Sequence, residues 1–246
     1  MLVRETAGAL MSFARDPHGL VTACRRMISR QPSSGPLLWL ASQVLSAGDP
    51  IDRLHRCLDE LDGDTTAREL RHALPGDATI AVLGWPDAAD AALPARGDVE
   101  VMVIDVLGEG SGFVQQLWNS DIDAFDVPLG GLGAAIAGAD LVLLESAAIG
   151  PEACLVVAGS RAAAAVALHQ GTPVWLVGGV GRLLPPALWG SLERRISTDD
   201  PWDADEEIMP LDLVTHIVGP GGVEPVAAAL QHVDCPVAAE LLRTTN

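Results

Sequence analysis

The sequence predicts an α/β fold, a Rossmann-like doubly wound parallel sheet preceded by an N-terminal helical region. Three observations predict it: helical periodicity up to about Leu74, short apolar β-type runs after it, and segments of helical length between most of those runs. In the first part, apolar residues recur at three- and four-residue spacing in "AGALMSFA", "LVTACRRMI", "LLWLASQVL" and "IDRLHRCLDEL", which lines them along one helix face. The breaks between them carry turn chemistry, as in "RDPHG", "RQPSSGP", "AGDP" and "DGDTT". Asp49-Pro50 reads as an N-cap with a first-turn proline, and Asp64-Thr65 as another helix start. Four or five antiparallel helices are expected. "LPGD", Leu74 to Asp77, closes the region and places the division at 1–75 and 76–246.

Beyond it the β-type runs are "TIAVL" (79–83), "VEVMVIDV" (99–106), "IDAFDV" (122–127), "LVLLE" (141–145), "PVWLV" (173–177) and "VTHIV" (214–218). Helical segments are expected at 86–93, 110–119, 131–138, 159–169 and 223–232. Strands that are nearly continuous in apolar residues are buried on both faces, so they belong in a parallel sheet under two helical layers. Right-handed crossovers make that sheet doubly wound. "IDAFDV" alternates more than its neighbours, as an edge strand would. The acidic stretch "STDDPWDADEE", 197–207, reads as a solvated loop.

The chain has 246 residues, a formal net charge of −18 and 49% hydrophobic residues. A field of that sign repels phosphate backbones and anionic lipid, which argues against direct nucleic-acid or membrane binding. No apolar run approaches the ~20 residues that span a bilayer. Cys24, Cys57, Cys154 and Cys235 are widely separated and lack the paired spacing of a zinc site or disulfide framework. Buried free thiols in a reducing cytoplasm are expected, with no metal and no cofactor.

In open parallel sheets, ligands bind beyond the carboxyl ends of the strands. The candidate ligand-binding residues therefore sit where the runs end. Gly84 and Trp85 follow the first strand, and the Trp85 ring is available either to cover or stack on a ligand or to pack the sheet edge. Glu145 and Ser146 turn polar where "LVLLE" should end, as a cleft-facing acid and hydroxyl or as a solvated turn. Gly159, Ser160 and Arg161 open a helix whose free N–H groups suit a phosphate, or else form a Ser-capped start. Gly178 and Gly179 lead towards Arg182 and read as a phosphate approach or a flexible exit loop. His169 and His216 have no partner at catalytic spacing and read as structural.

"AAIAGADLVLLESAAIG", "VAGSRAAAAVALHQGTPVWLV" and "MPLDLVTHIVGPGGVEP" follow one another in order and spacing, and "RQPSSGPLLWLASQVL" precedes them. This series resembles the translation initiation factor 2B alpha/beta/delta family over most of residues 77–232. That family also contains methylthioribose-1-phosphate and ribose-1,5-bisphosphate isomerases, in which a Cys after an early strand and the Asp of a Gly-Ala-Asp motif move the protons. The resemblance sets Glu145, Ser146 and Ala147 at the Gly-Ala-Asp positions, so Ala147 replaces the catalytic Asp. Gly84 or Trp85 stands near the missing Cys, and Val156-Val157 replaces Asn-Lys. The family's phosphate-holding Arg is absent from "IDVLGEG", and the Glu of its closing motif is absent from "IVGPGGV".

The resemblance thus implies a retained fold without the family's chemistry: a non-catalytic, ligand-sensing or regulatory module with no catalytic residue. A small anionic metabolite, a sugar phosphate or nucleotide, is the ligand it implies. A homodimer through the α/β domain is the assembly, and a protein partner is the other expectation. The alternative is a sugar-phosphate aldose–ketose isomerase with rearranged groups, in which Glu145 stands in for the lost carboxylate on the same side of the strand as Ala147.

Overall fold

A computed structural model describes residues 2–242; Met1 and residues 243–246, which the division at 1–75 and 76–246 includes, lie outside them. Five helices come first: α1 (Leu2–Met11), α2 (Pro17–Arg30), α3 (Gly35–Leu45), α4 (Pro50–Asp62) and α5 (Thr66–Ala73). Asp49 caps α4 as expected, its carboxylate accepting from the Ile51 and Asp52 N–H groups ahead of Pro50. Asp64 performs the same task for α5 by accepting from Thr66 N. α3 is apolar nearly all round and is buried accordingly, Leu37 to Val44 without exception.

The strands are β1 (Thr79–Leu83), β2 (Glu100–Asp105), β3 (Asp123–Pro128), β4 (Leu141–Ile149), β5 (Ala153–Val157), β6 (Val174–Val177), β7 (Glu206–Pro210), β8 (His216–Gly219) and β9 (Gly222–Pro225). The helices among them are α6 (Asp87–Ala92), α7 (Gly110–Trp118), α8 (Leu132–Gly138), α9 (Ser160–Gln170), α10 (Pro186–Ile196) and the single turn α11 (Val226–Ala229). The sheet runs β3-β2-β1-β4-β6-β8-β9. The first six of these are mutually parallel, in the spatial order of a doubly wound nucleotide-binding sheet. "IDAFDV" lies at the edge as β3.

One face of the sheet packs α8 and α9 through Leu132, Ile136, Ala163 and Ala167. The other packs α5, α6 and α7 through Leu70, Ala89, Ala92, Phe113 and Leu117. Alanine lets α9 lie close to the strands, with Ala163, Ala164 and Ala167 all fully buried. A third core joins α1 to α4 with α10, Leu155 of β5 and the late residues Cys235, Ala238 and Leu241. One close seam is at Gly35, where an added Cβ would lie 2.6 Å from the Ala147 carbonyl and 3.0 Å from the Ala148 side chain. The all-helical layer is thereby seated on β4.

Several elements differ from the sequence expectation. β4 does not stop at Glu145. It pairs in parallel with β6 up to Glu145 and then antiparallel with β5 from Ser146, with a register irregularity between Ser146 and Ala148. β5 in turn pairs antiparallel with β7. The sheet is therefore mixed, with a small antiparallel wing growing from the end of β4. The acidic stretch 197–207 is not wholly loop, because Glu206 and Glu207 begin β7. Residues 223–232 are not one helix: β9 forms a hairpin with β8, and a short α-helical turn and then a 3-10 turn, Leu230–His232, follow. Pro225 ends that strand by removing an N–H from the ladder. α10 had no counterpart in the sequence reading. Among the described residues no helix is long and apolar enough to cross a membrane.

Candidate functional site

The strand order reverses between β1 and β4, and a cleft of about 1320 Å³ opens there beyond their carboxyl ends. Leu83, Gly84 and Trp85 follow β1, and Leu144 to Ala147 supply the floor from β4. The antiparallel wing forms one wall, and Ser33, Ser34 and Pro36 bring the helical layer over it. Gly84, Trp85, Glu145, Ser146 and Arg161 of the predicted set line this cleft. Gly178 and Gly179 instead border a second, smaller cavity of about 600 Å³ at the ends of β6 and β8. Gly159 and Ser160 line neither.

Glu145 is almost entirely engaged within the protein. Its Oε1 lies 2.7 Å from Arg182 Nη2, with the two side chains 13% and 21% exposed. Its Oε2 accepts from Ala88 N–H at 2.8 Å, in the first turn of α6. Arg182 also donates to the Ser146 carbonyl. The bend of β4 into the wing is thus braced by a guanidinium from the loop after β6. The Ser146 hydroxyl is fully buried and is committed within the protein, donating to the Val177 carbonyl at 2.9 Å. Ala147 also borders the cleft and packs against the helical core.

The start of α9 carries an occupant of its own. Arg161 N–H donates to Glu207 Oε1 at 2.9 Å, so a carboxylate from β7 sits at this helix N-terminus. Gly159 enters the helix at φ +93°, a conformation that disfavours residues with a Cβ, under the side chains of Val106, Leu129 and Leu83. The Ser160 hydroxyl is buried without a hydrogen-bond partner. The Gly178–Gly179 loop is also held from within: Asp64 accepts from Val180 N–H at 2.9 Å, and a Cβ on Gly179 would strike the same carboxylate.

Trp85 both packs and lines. Its ring stacks on Phe113 of α7 with centroids 5.6 Å apart, yet it stays 36% exposed on the cleft wall. His169 is exposed in the last turn of α9, while His216 meets Trp175 edge-on. All four cysteines are free and buried, and none lines the cleft. Burial pushes the Cys24, Cys154 and Cys235 thiols up to about 12 and Cys57 to about 11.

Among the cleft-lining residues that sequence reasoning missed are the acids of the wing. Asp205, Glu206 and Glu207 line the cleft. Glu206 is hydrogen-bonded with Ser33, and burial raises its carboxyl above the usual glutamate range despite that bond. The available signal was "EEIMP", a short run closed by proline, which the surrounding acids concealed.

No protein-family model matches the chain, and no curated protein matches it in sequence. Solved structures do match it. The chain is similar to a structure of the tetrameric eIF2B-beta2-delta2 complex from C. thermophilum, at 16% identity and TM-score 0.77, covering 93% of this chain and 86% of that one. It is similar to the Pyrococcus horikoshii OT3 translation initiation factor eIF-2B at 14% identity and TM-score 0.73, covering 94% and 92%. It is also similar to eIF2B beta from Chaetomium thermophilum at 17% identity and TM-score 0.72, covering 91% and 80%. The fold implied by the sequence resemblance is therefore the fold of the chain.

Proposed function

We propose that this chain is a non-catalytic, initiation-factor-2B-like regulatory module that senses a small ligand in the cleft at the β1/β4 switch point. The observation that carries this reading is the state of Glu145. An acid or base must present an oxygen to the proton it moves. Here Oε1 is paired with Arg182 and Oε2 accepts from Ala88 N–H. Ala147 offers no replacement, and the four thiols are buried away from the cleft. Two groups poised for transfer between adjacent carbons, as aldose–ketose conversion demands, are not supplied by these residues.

The isomerase alternative draws on one fact, that Glu145 does line the cleft on the same side of β4 as Ala147. The two readings separate in an assay of aldose–ketose conversion on ribose 1,5-bisphosphate and methylthioribose 1-phosphate, run with the wild type and Glu145→Gln. No turnover is expected from either protein. Turnover that Glu145→Gln abolishes would overturn the regulatory reading.

Assembly belongs to the same proposal. One of the structural neighbours is a tetrameric complex of beta and delta subunits, which supports assembly with other subunits; on this reading the chain pairs with itself or a related partner through its α/β domain, in the cytoplasm. Light scattering on the purified chain tests the homodimer, and a pull-down tests a protein partner.

A further inference from the structure

Residues 233–242 cross the helical layer as a strap that belongs to no sheet. Val233 (φ −65°, ψ 101°) and Ala238 (φ −80°, ψ 114°) are extended, and a 3-10 turn, Ala239–Leu241, follows near the strap's end. Cys235, Ala238 and Leu241 are buried, at 8%, 3% and 0% exposure, while Asp234, Val237 and Glu240 face water. A repeat of three is the period of a polyproline-type chain laid along a groove; a strand would repeat at two and an α-helix at 3.6. The three buried side chains enter the core that α2, α3 and α10 share.

Side chains of those helices read the strap's backbone. Trp39 Nε1 and Gln43 Nε2 of α3 both donate to the Asp234 carbonyl at 3.0 Å. The Ser42 hydroxyl donates to the Pro236 carbonyl and accepts from Ala238 N–H at 2.9 Å. Arg25 Nε of α2 donates to the Glu240 carbonyl at 3.0 Å, and Ser191 and Arg195 of α10 donate to the Leu241 carbonyl. Donors aimed at main-chain carbonyls, with a pocket for every third residue, are how a folded surface holds an extended peptide. The receptor side is fixed without the strap: Gln43 Oε1 accepts from Arg53 Nε at 3.1 Å, and Arg53 is paired in turn with Glu60 at 2.9 Å. None of these contacts depends on the link to the rest of the chain, which runs through the exposed Gln231 and His232.

Which separate chain fits the groove follows from the complementarity already built. The strap itself is the matching sequence, so a second copy carries the ligand. Two copies that trade straps keep every contact above and change only the exposed link, and reciprocal exchange closes a two-fold dimer. We propose that the groove between α2, α3 and α10 is a peptide-recognition site, and that two copies of this chain associate by exchanging residues 233–242 through it. This stands apart from ligand sensing in the cleft and from the pairing of α/β domains described above.

The test is light scattering on the concentrated full chain, with a synthetic peptide of residues 233–242 as competitor. The wild type is expected to be a dimer that excess peptide converts to monomer. Ala238→Asp sets a carboxylate where the strap is buried, so this variant should be monomeric. It should bind the free peptide at least roughly tenfold more tightly than the wild type, whose tethered strap competes at an effective concentration on the order of millimolar. The peptide carrying the same substitution should bind neither protein. A second measurement needs no variant: in residue-resolved amide exchange of the wild type, excess peptide should quicken Ala238 about tenfold and leave Leu40 of α3 unchanged. A wild type that stays monomeric when concentrated would overturn strap exchange. So would a dimer that survives excess peptide or Ala238→Asp, though that result leaves association through the α/β domain standing. Unaltered exchange at Ala238 would overturn the groove as a site open to a separate chain.

Discussion

Glu145 of β4 and Arg182 of the loop after β6 hold each other at 2.7 Å across the point where the parallel sheet gives way to the antiparallel wing. The pair is mostly shielded from water, so either charge alone would be poorly solvated. Arg182→Met is expected to cost about 2 kcal/mol, because it strands a largely shielded carboxylate and the Ser146 carbonyl. Glu145→Gln should cost less, since the amide oxygen can still accept from Ala88 N–H. The double variant should recover part of the loss, leaving a coupling of about 1 kcal/mol or more in a urea-unfolding cycle. Strict additivity would mean that the pair does not brace the bend.

Glu207 occupies the start of α9 through Arg161 N–H. Its charge opposes the positive end of the helix dipole as well as filling one orphan donor. Glu207→Gln should keep most of the hydrogen bond and lose the charge, costing about 0.5 kcal/mol; Glu207→Ala should lose both and cost about 1 kcal/mol. Amide exchange read residue by residue should quicken in the first turn of α9, at Arg161 above all. Unchanged exchange there would show that the carboxylate is a bystander.

The parallel strands and most of their helices were legible because nearly all of them bury a continuous apolar run or face, the edge strand β3 excepted, and burial is what such patterns record. "TIAVL" and "LVLLE" could hardly be anything else. The wing was hidden for the same reason. β7 has Glu206 and Glu207 facing the cleft and a helix start, so it carries polar side chains where a core strand would carry apolar ones. Glu145-Ser146 looked like the end of a strand because the chain changes partner there, from β6 to β5, and not because pairing ceases. The position of the candidate cleft at the strand ends followed from topology. Its occupancy by internal carboxylates depends on contacts between residues 46 or more positions apart, such as Arg161 with Glu207 and Ala88 with Glu145, and no local pattern encodes them.

The thiols yield a prediction about reactivity. Burial raises all four, to about 11 for Cys57 and about 12 for Cys24, Cys154 and Cys235. At pH 8 roughly one thiol in a thousand or fewer is then the reactive thiolate. Native protein should resist a disulfide-exchange reagent at that pH on the scale of an hour, and unfolding in urea should release all four together. Rapid labelling of one cysteine in native protein, located by peptide mass mapping, would place it in a more open setting than the cores described.

Glu206 gives the stability a pH dependence of definite sign. Burial raises its carboxyl above the ordinary glutamate range, Asp205 adds to this, and the hydrogen bond with Ser33 offsets part of it. Between the unfolded and folded values, the folded chain binds the extra proton. This residue's contribution therefore falls as pH rises through that window and stays unfavourable above it. Glu206→Gln removes the cost of burying the charge while its amide can still meet Ser33. The variant should melt roughly 2 °C above the wild type at pH 7. The gain should shrink as pH drops through the folded value and vanish below the ordinary glutamate value, where both states of the wild type are protonated. A gain of equal size at pH 4 and pH 7 would have to come from packing, and the charge on this wall of the cleft would then carry no penalty for folding.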